Sequence, residues 1–549
     1  MVAHGLMLVT ALMVTLLAMP LVIKFAHTLG MVDEPDARKV HGSSMPRTGG
    51  IAMAVGFFVT VLLFDVSDRG VQAIMMGAIF IIATGVLDDI WQIRPWQKFL
   101  GEIIAACIFI WWSGVSLTSL GDLFTTGPIL TGSFGLLFTV ICIVGVINAL
   151  NLSDGLDGLA GGLALIAALF LGFFACISEQ WASLFVIAAL LGSLLGFLYF
   201  NSHPARVFMG DTGSLLLGYL LVTTEILLAG EKPDLVAPIS MAMVLALPVV
   251  DTLFVMTQRI MKGDSPFLPD KTHIHHRLLA LGLPHGAVVS LLYACMGLFG
   301  FTAVLVRKQP EWMQCMIGLV TALVLYGILI ALTKSGYRWN HSASDLLESP
   351  EPSSIYRRLT AWSGRSIPYM SWLIPIVLLM PVPFLEQLPT MIVWLTLLSV
   401  GSLLVLYPAL SSEDRLGIVH GLLYWSVFLI LTISAYYGSD YVRFYMMTVA
   451  VLVALWVIVK LVFKRHRRVF LTSGFEVLII LVSWLIPQLL EHALYIDAEG
   501  QYNLTLACLE SVPFLLAMKI VIRQQPKRNR SLMLSMTAIL LFVVGGALF

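Results

Sequence analysis

The sequence predicts an all-α polytopic integral membrane protein. Of its 549 residues 59% are apolar and 12% are charged, and the mean hydropathy is +0.92, far too apolar for a soluble globule. Apolar runs of roughly 15 to 22 residues recur along the whole chain, the length at which a tilted helix crosses a bilayer. Lys and Arg gather on alternate loops, as they do where one side of a membrane is cytoplasmic. The 32 basic residues balance the 32 acidic ones, so the net charge gives no sign of a nucleic-acid partner. Cys107, Cys142, Cys176, Cys295, Cys315 and Cys508 are scattered through apolar runs. They read as small buried side chains, neither a disulfide framework nor a metal site.

In chain order, about eleven spans are predicted first, near 4–26, 49–64, 71–87, 99–113, 133–147, 159–176, 183–200, 213–229, 236–257, 286–306 and 313–333. The N-terminus lacks a basic leader and a small-residue cleavage site, so the first run is expected to be a retained span. Lys24, Arg38, Lys39 and Arg47, then Arg94 and Lys98, Arg206, Arg259, Lys262, Lys271 and Arg277, and Lys334 to Arg365 all fall on one side. That side is expected to be cytoplasmic and the N-terminus outside, with Arg307 and Lys308 as exceptions. Residues 336–367 are polar and rich in Ser and Pro, and read as a cytoplasmic linker between a membrane domain 1–335 and a second one, 368–549. About seven further spans are predicted there, near 369–388, 390–408, 418–437, 444–463, 470–490, 504–522 and 532–549.

This topology gathers five chemically unusual stretches on one face of the membrane. In NALNLSDGLDGLAGG, 148–162, the residues Asn148, Asn151, Asp154 and Asp157 recur at three-residue steps between two apolar runs. On a helix they share a face. The glycines make the segment a loop entering a helix, with backbone able to approach a ligand; a satisfied cap with small-residue packing is the plain alternative. Ahead of it, residues 33–50 end in PRTGG, where Arg47 and a Gly-rich exit suit an anion. Residues 85–102 hold adjacent Asp88 and Asp89, whose repulsion a divalent cation relieves, and Lys98, which either holds a phosphate or snorkels. After it, FNSHPARVFMGDTGS places Asp211 at a span start, as a hard ligand beside helix N-terminal donors or as a simple cap. Phe208 and Asn201 are suited to stacking on and hydrogen bonding to a base, although an aromatic there also serves as an interfacial anchor. The loop 266–283 carries His273, His275, His276 and Arg277 with no cysteine beside them. The imidazoles suit phosphate or sugar oxygens better than zinc, and the carboxylates elsewhere suit magnesium or manganese.

PRTGG, LDD followed by Lys98, NALNLSDGLDGLAGG, FMGDTGS and HIHH occur in this order over roughly residues 1–335. Together they resemble the polyprenyl-phosphate N-acetylhexosamine-1-phosphate transferases of the WecA, MraY and TagO type, in the glycosyltransferase 4 family. HIHH with Pro-Asp shortly before it looks like the WecA branch. The resemblance implies an eleven-span core in a bacterial inner membrane with its active site in the cytoplasm. It implies transfer of N-acetylhexosamine 1-phosphate, by base rate the N-acetylglucosamine form, from a UDP-sugar to undecaprenyl phosphate. UMP is released, and the step initiates an envelope polysaccharide such as a cell-wall glycan or O-antigen. By motif position it implies Mg²⁺, or Mn²⁺ in its place, at Asp211 and Asn151. Asp88 and Asp89 match the catalytic acids and Lys98 a phosphate-binding lysine. Asp154 and Asp157 fall near nucleotide and metal, Asn201 and Phe208 at uracil, and His273, His275, His276 and Arg277 at pyrophosphate and sugar. Asn148 and Arg47 are expected among the substrate-binding groups.

A different class, a secondary transporter of a lipid-linked or anionic substrate, would also explain acids in a membrane protein. It would place them near the bilayer midplane in two corresponding repeats, whereas these motifs sit at span ends and no repeat is visible. Residues 368–549 have no counterpart in the short members of the family. They are expected to form a structural or partner-binding bundle, a route to a homodimer or to envelope-glycan assembly partners, with a fused lipid-handling module as the alternative.

Overall fold

The computed structural model describes residues 2–334 apart from 27, 29, 34–43, 65–66, 125–126, 232–235 and 266–271; beyond these it describes 354–385, 437–462, 529–548 and isolated positions between. The predicted spans near 390–408, 418–437, 470–490 and 504–522 lie wholly or largely outside the described residues, as do Arg38, Lys39, Lys271 and Cys508.

A helix stands in each of the eleven predicted intervals of the first part. They are α1 (Val2–Phe25), α2 (Gly49–Leu63), α3 (Arg69–Trp91), α4 (Pro95–Ser113), α5 (Gly135–Leu152), α6 (Leu159–Ile177), α7 (Trp181–Asn201), α8 (Gly210–Glu231), the pair α9 (Pro238–Val244) and α10 (Ala246–Lys262), then α12 (His285–Val306) and α13 (Glu311–Lys334). A short α11 (Ile274–Ala280) lies between α10 and α12. Eight of the described helices are long and apolar enough to cross a bilayer, and the bent α9–α10 pair would make nine. The protein is a multi-pass membrane protein.

The ninth predicted interval is not one straight helix. Its two halves meet at 78°. Pro248 lacks an N–H, and its ring would collide with the carbonyl four residues back, which belongs to Val244, the last residue of α9. In the first turn of a new helix the same proline costs nothing, so the chain breaks at Leu245 and restarts.

The core is built around α6, whose side chains from Leu159 to Cys176 are all buried. A helix that is apolar on every side can be surrounded, and α7, α8, α9 and α12 pack around this one. Helix α8 packs in turn on α3 and α5, and α1 lies against α2 and α7. The only strands among the described residues are β1 (Val32–Asp33) and β2 (Met45–Pro46), antiparallel with Val32 opposite Pro46. They fix the entry to α2: Pro46 O accepts the Phe208 N–H at 2.7 Å, Phe208 O accepts that of Gly49, and Met209 O that of Gly50. The PRTGG stretch is thus paired by its backbone to the start of the FMGDTGS run.

The chain divides into two compact units, with the main boundary between His341 and Ser342. In the second, α14 (Ser354–Leu379) already begins inside the predicted linker and packs on α15 (Asp440–Val462) and α16 (Asn529–Leu548). Trp456 Nε1 donates to Ser366 Oγ at 3.0 Å between the first two.

Candidate active site

A cleft of about 570 Å³ opens where the ends of α3, α5 and α8 meet the turn between α5 and α6 and the helix α11. Its walls include Asp88, Asp89, Gln92, Asn151, Asp154, Asp157, Phe208, Asp211 and His276. With Asp33 also on the wall, four of the five predicted stretches contribute carboxylates to one space.

Asp211 lies in the first turn of α8 and is held from two sides. Lys98 Nζ donates to its Oδ2 at 2.6 Å and stands 3.7 Å from Asp88 Oδ2. Asn151 Nδ2 donates to Asp211 Oδ1 at 2.8 Å and to Ser214 Oγ at 2.7 Å. Asp89 has a different task from its neighbour. It is only 7% exposed, and it accepts the Asp211 and Thr212 N–H groups at 2.8 and 2.9 Å and the Thr212 hydroxyl at 2.6 Å. It caps α8 from another helix, satisfying donors that the helix itself leaves open. Gly210 turns the chain into this cap at φ +70°, and a Cβ there would lie 2.7 Å from Asp89 Oδ2, so the position is closed to other residues.

The row expected from Asn148 to Asp157 is split, because α5 ends at Leu152 and the chain turns. Asn148 lies one layer behind the cleft, where its amide donates to the fully buried Glu102 and to Val144 O. Asp154 opens to the cleft. The protein packed around it, followed by the carboxylates of Asp211, Asp89 and Asp157, raises its pKa above the usual carboxylate range; cleft water limits the first effect but not the crowding of negative charge. Asp157 accepts His203 Nδ1 at 2.8 Å and the Ala205 N–H at 3.1 Å, pinning the turn before α8. Asn201 borders the cleft, but both ends of its amide serve the backbone: Oδ1 accepts the Gly158 N–H and Nδ2 donates to Val207 O, each at 2.9 Å. Phe208 keeps a half-buried ring on the cleft wall. Arg47 also reaches the cleft, paired there with Asp33.

The HIHH segment is not uniformly a ligand loop. Of its three histidines only His276 lines the cleft. His273, 5% exposed, has its Nδ1 2.8 Å from Asp251 Oδ2, and Asp251 Oδ1 accepts the Ile274 N–H and the Tyr326 hydroxyl at 3.0 Å each. His275 is 2% exposed, and burial, followed by the neighbouring His276, pushes its pKa down to about 3. Arg277 donates to Thr272 O and Gln258 and lies over the Phe254 ring at 5.2 Å, and it is not among the residues that line the cleft.

The cleft offers hard oxygen donors from Asp88, Asp154, Asp211 and Asn151 and no thiol among its lining residues, a set that fits Mg²⁺ or Mn²⁺. Asp157, His203 and His285 also bring ligand atoms within 4.8 Å of one another. Their two imidazoles, however, stack at 4.2 Å with planes 24° apart, so their nitrogens do not converge on one ion in both ring planes.

Four polar residues escaped the sequence reading: Gln92 on the wall, His203, Glu102 and Asp251. The last two did carry a signal, a lone carboxylate inside an apolar run.

Fold and site define a multi-pass membrane protein with an acid-lined cleft at the ends of its helices. The family described as Glycosyl transferase family 4 matches residues 71–229. A protein of Bacillus subtilis (strain 168) named "probable undecaprenyl-phosphate N-acetylglucosaminyl 1-phosphate transferase" is 36% identical over 324 residues, 59% of this chain and 90% of its own. The decaprenyl-phosphate N-acetylglucosaminephosphotransferase of Mycobacterium leprae (strain TN) is 35% identical over 326 residues, 54% of this chain and 81% of its own. The undecaprenyl-phosphate alpha-N-acetylglucosaminyl 1-phosphate transferase of Escherichia coli (strain K12) is 28% identical over 56% of this chain and 85% of its own. The chain belongs to glycosyl transferase family 4.

Proposed function

We propose that the protein transfers N-acetylglucosamine 1-phosphate from UDP-N-acetylglucosamine to undecaprenyl phosphate and releases UMP, at a cleft on the cytoplasmic side of a bacterial inner membrane. The observation that carries this reading is the meeting of Asp88, Lys98, Asn151 and Asp211, from four helices, beside a half-buried aromatic. The relatives' names supply the sugar and the lipid.

In this reading an oxygen of the acceptor phosphate attacks the β-phosphorus of the UDP-sugar. The bond from that phosphorus to the oxygen bridging the α-phosphate breaks, and UMP leaves with the electron pair. The attacking oxygen is already anionic near neutral pH, so the chief task is to bring two anions together in line. Asp211, Asn151 and Asp88 would hold a divalent cation, which would supply charge neutralisation for both phosphates. Lys98, bound between Asp88 and Asp211, adds a second positive charge at the leaving phosphate. Asp89 keeps α8, and so Asp211, in place. Phe208 offers its ring to uracil, and His276 faces the sugar and pyrophosphate side.

Transport is the lesser reading, since the site's acids sit at helix ends on one side of the bundle. The deciding experiment incubates purified protein with undecaprenyl phosphate, Mg²⁺ and a panel of UDP-N-acetylhexosamines and follows UMP. Release with UDP-N-acetylglucosamine that EDTA abolishes is expected. Silence with every donor from folded protein would overturn the proposal.

A further inference from the structure

Glycine at 155 is demanded by a side chain from another part of the sequence. A Cβ built on it would stand 2.2 Å from His275 Nε2, 2.9 Å from Cε1 and 3.0 Å from Cδ2. The imidazole edge therefore rests on bare backbone in the turn that carries Asp154. The ring is 2% exposed, and its Nε2 is buried with no hydrogen-bond partner. A histidine that served as a phosphate ligand would present that nitrogen to the cleft, yet it is His276, whose ring centre lies 4.2 Å from that of His275, that lines it. On its other side the segment is tied to α10 and α13 through Asp251, His273 and Tyr326. Arg277 adds a bond to Gln258 of α10, and of these named contacts only that of His275 with Gly155 reaches the turn after α5.

We propose that His275 is a positioning residue: its imidazole is keyed onto Gly155, and this contact sets how Asp154 and His276 face each other across the cleft. The contact is one of shape. It uses a flat ring edge against a residue with no side chain, and it needs no hydrogen bond from Nε2. In the sequence the two residues belong to separate motifs, and their dependence on each other appears only in the fold. The inference rests on the transferase reading for its consequence in catalysis but not for its geometry.

The test compares wild type with Gly155→Ala, His275→Leu and the double variant, all as full-length protein. Adding a methyl at 155 against the ring displaces the turn, and a displacement of about 1 Å at a reacting site costs on the order of 100-fold in turnover. Leucine at 275 removes Nε2 and leaves room for that methyl. His275→Leu alone is expected to keep the donor KM within about threefold of wild type and to lower kcat by less than about tenfold, the pattern for lost positioning and not for a lost ligand. The double variant is expected to recover at least about tenfold over Gly155→Ala, since complementary volume changes at one contact offset each other. A large rise in donor KM for His275→Leu, or a double variant no better than Gly155→Ala, would overturn the proposal.

Hydrogen–deuterium exchange gives a readout that does not need turnover. Gly155→Ala is expected to speed exchange in both 153–158 and 274–280, and the double variant to restore it. Unchanged exchange at 274–280 in Gly155→Ala overturns the keying even if the wild type releases no UMP. Active wild type with no rescue overturns the keying and leaves the transferase reading standing.

Discussion

Asp88 and Asp89 adjoin in sequence yet act on different objects. Asp89 is consumed by three donors of α8, whereas Asp88 faces Lys98 and the cleft. Asp88→Asn is therefore expected to lower UMP release by orders of magnitude with the melting temperature in detergent unchanged. Asp89→Ala is expected to lower both, because losing a cap and its buried hydrogen bonds costs about 1–3 kcal/mol of stability; an unshifted melting temperature would contradict the capping role. His275 yields a pH prediction. Its folded-state pKa is about 3, below the ordinary value near 6.5, so between these values the unfolded chain binds a proton that the folded chain refuses. Stability is full above about pH 6.5 and falls as pH drops towards 3. Melting curves from pH 7 to 5 are expected to fall less steeply in His275→Leu than in wild type. Residue type singled out Asp88, Asp154, Asp211 and Phe208, which the fold brings to one cleft. It could not show that the Asn148 amide reaches Glu102 or that the Asn201 amide reaches the backbone of Gly158 and Val207, because an amide bonds to these as readily as to a substrate and only the fold shows which is within reach.

At the level of elements, hydrophobic run length placed the long described helices between residues 2 and 334 to within about five residues, but it missed the short α11 and could not see the bend at Leu245. A run of apolar residues looks the same straight or broken, and Pro248 alone marks the place. The bend has a use: it starts α10 so that Asp251 meets His273, the Ile274 N–H and Tyr326. Asp251→Ala leaves those donors in a buried pocket without their acceptor, a cost of about 1–3 kcal/mol each at most. Faster hydrogen exchange over 273–280 and a raised donor KM are the expected results, with exchange at 210–215 unaltered. Equal loosening of both segments would mean general destabilisation instead. The β1–β2 ladder was likewise invisible to a helix-oriented reading. It is two residues long, and its partners are backbone groups that any sequence carries.

At the scale of the molecule, α6 supplies a core that α7, α8, α9 and α12 surround, and the site sits at the helix ends around it. Three relatives align with 54 to 59% of this chain while covering 81 to 90% of themselves, so more than two fifths of the chain lies outside each alignment. A chain ended after His341 is expected to retain metal-dependent UMP release within about threefold of the full-length protein, as an independently cored domain should; complete loss of turnover in folded, truncated protein would make the second unit part of the enzyme. The sequence by itself determined the membrane class and the family, because hydropathy, loop charge and motif order are local properties of the chain. Which acid caps a helix, which histidine is buried against a glycine and which faces the cleft were decided only by the tertiary structure. Each depends on which groups from distant segments come within about 3 Å, the reach of a hydrogen bond, and no spacing along the chain encodes that distance.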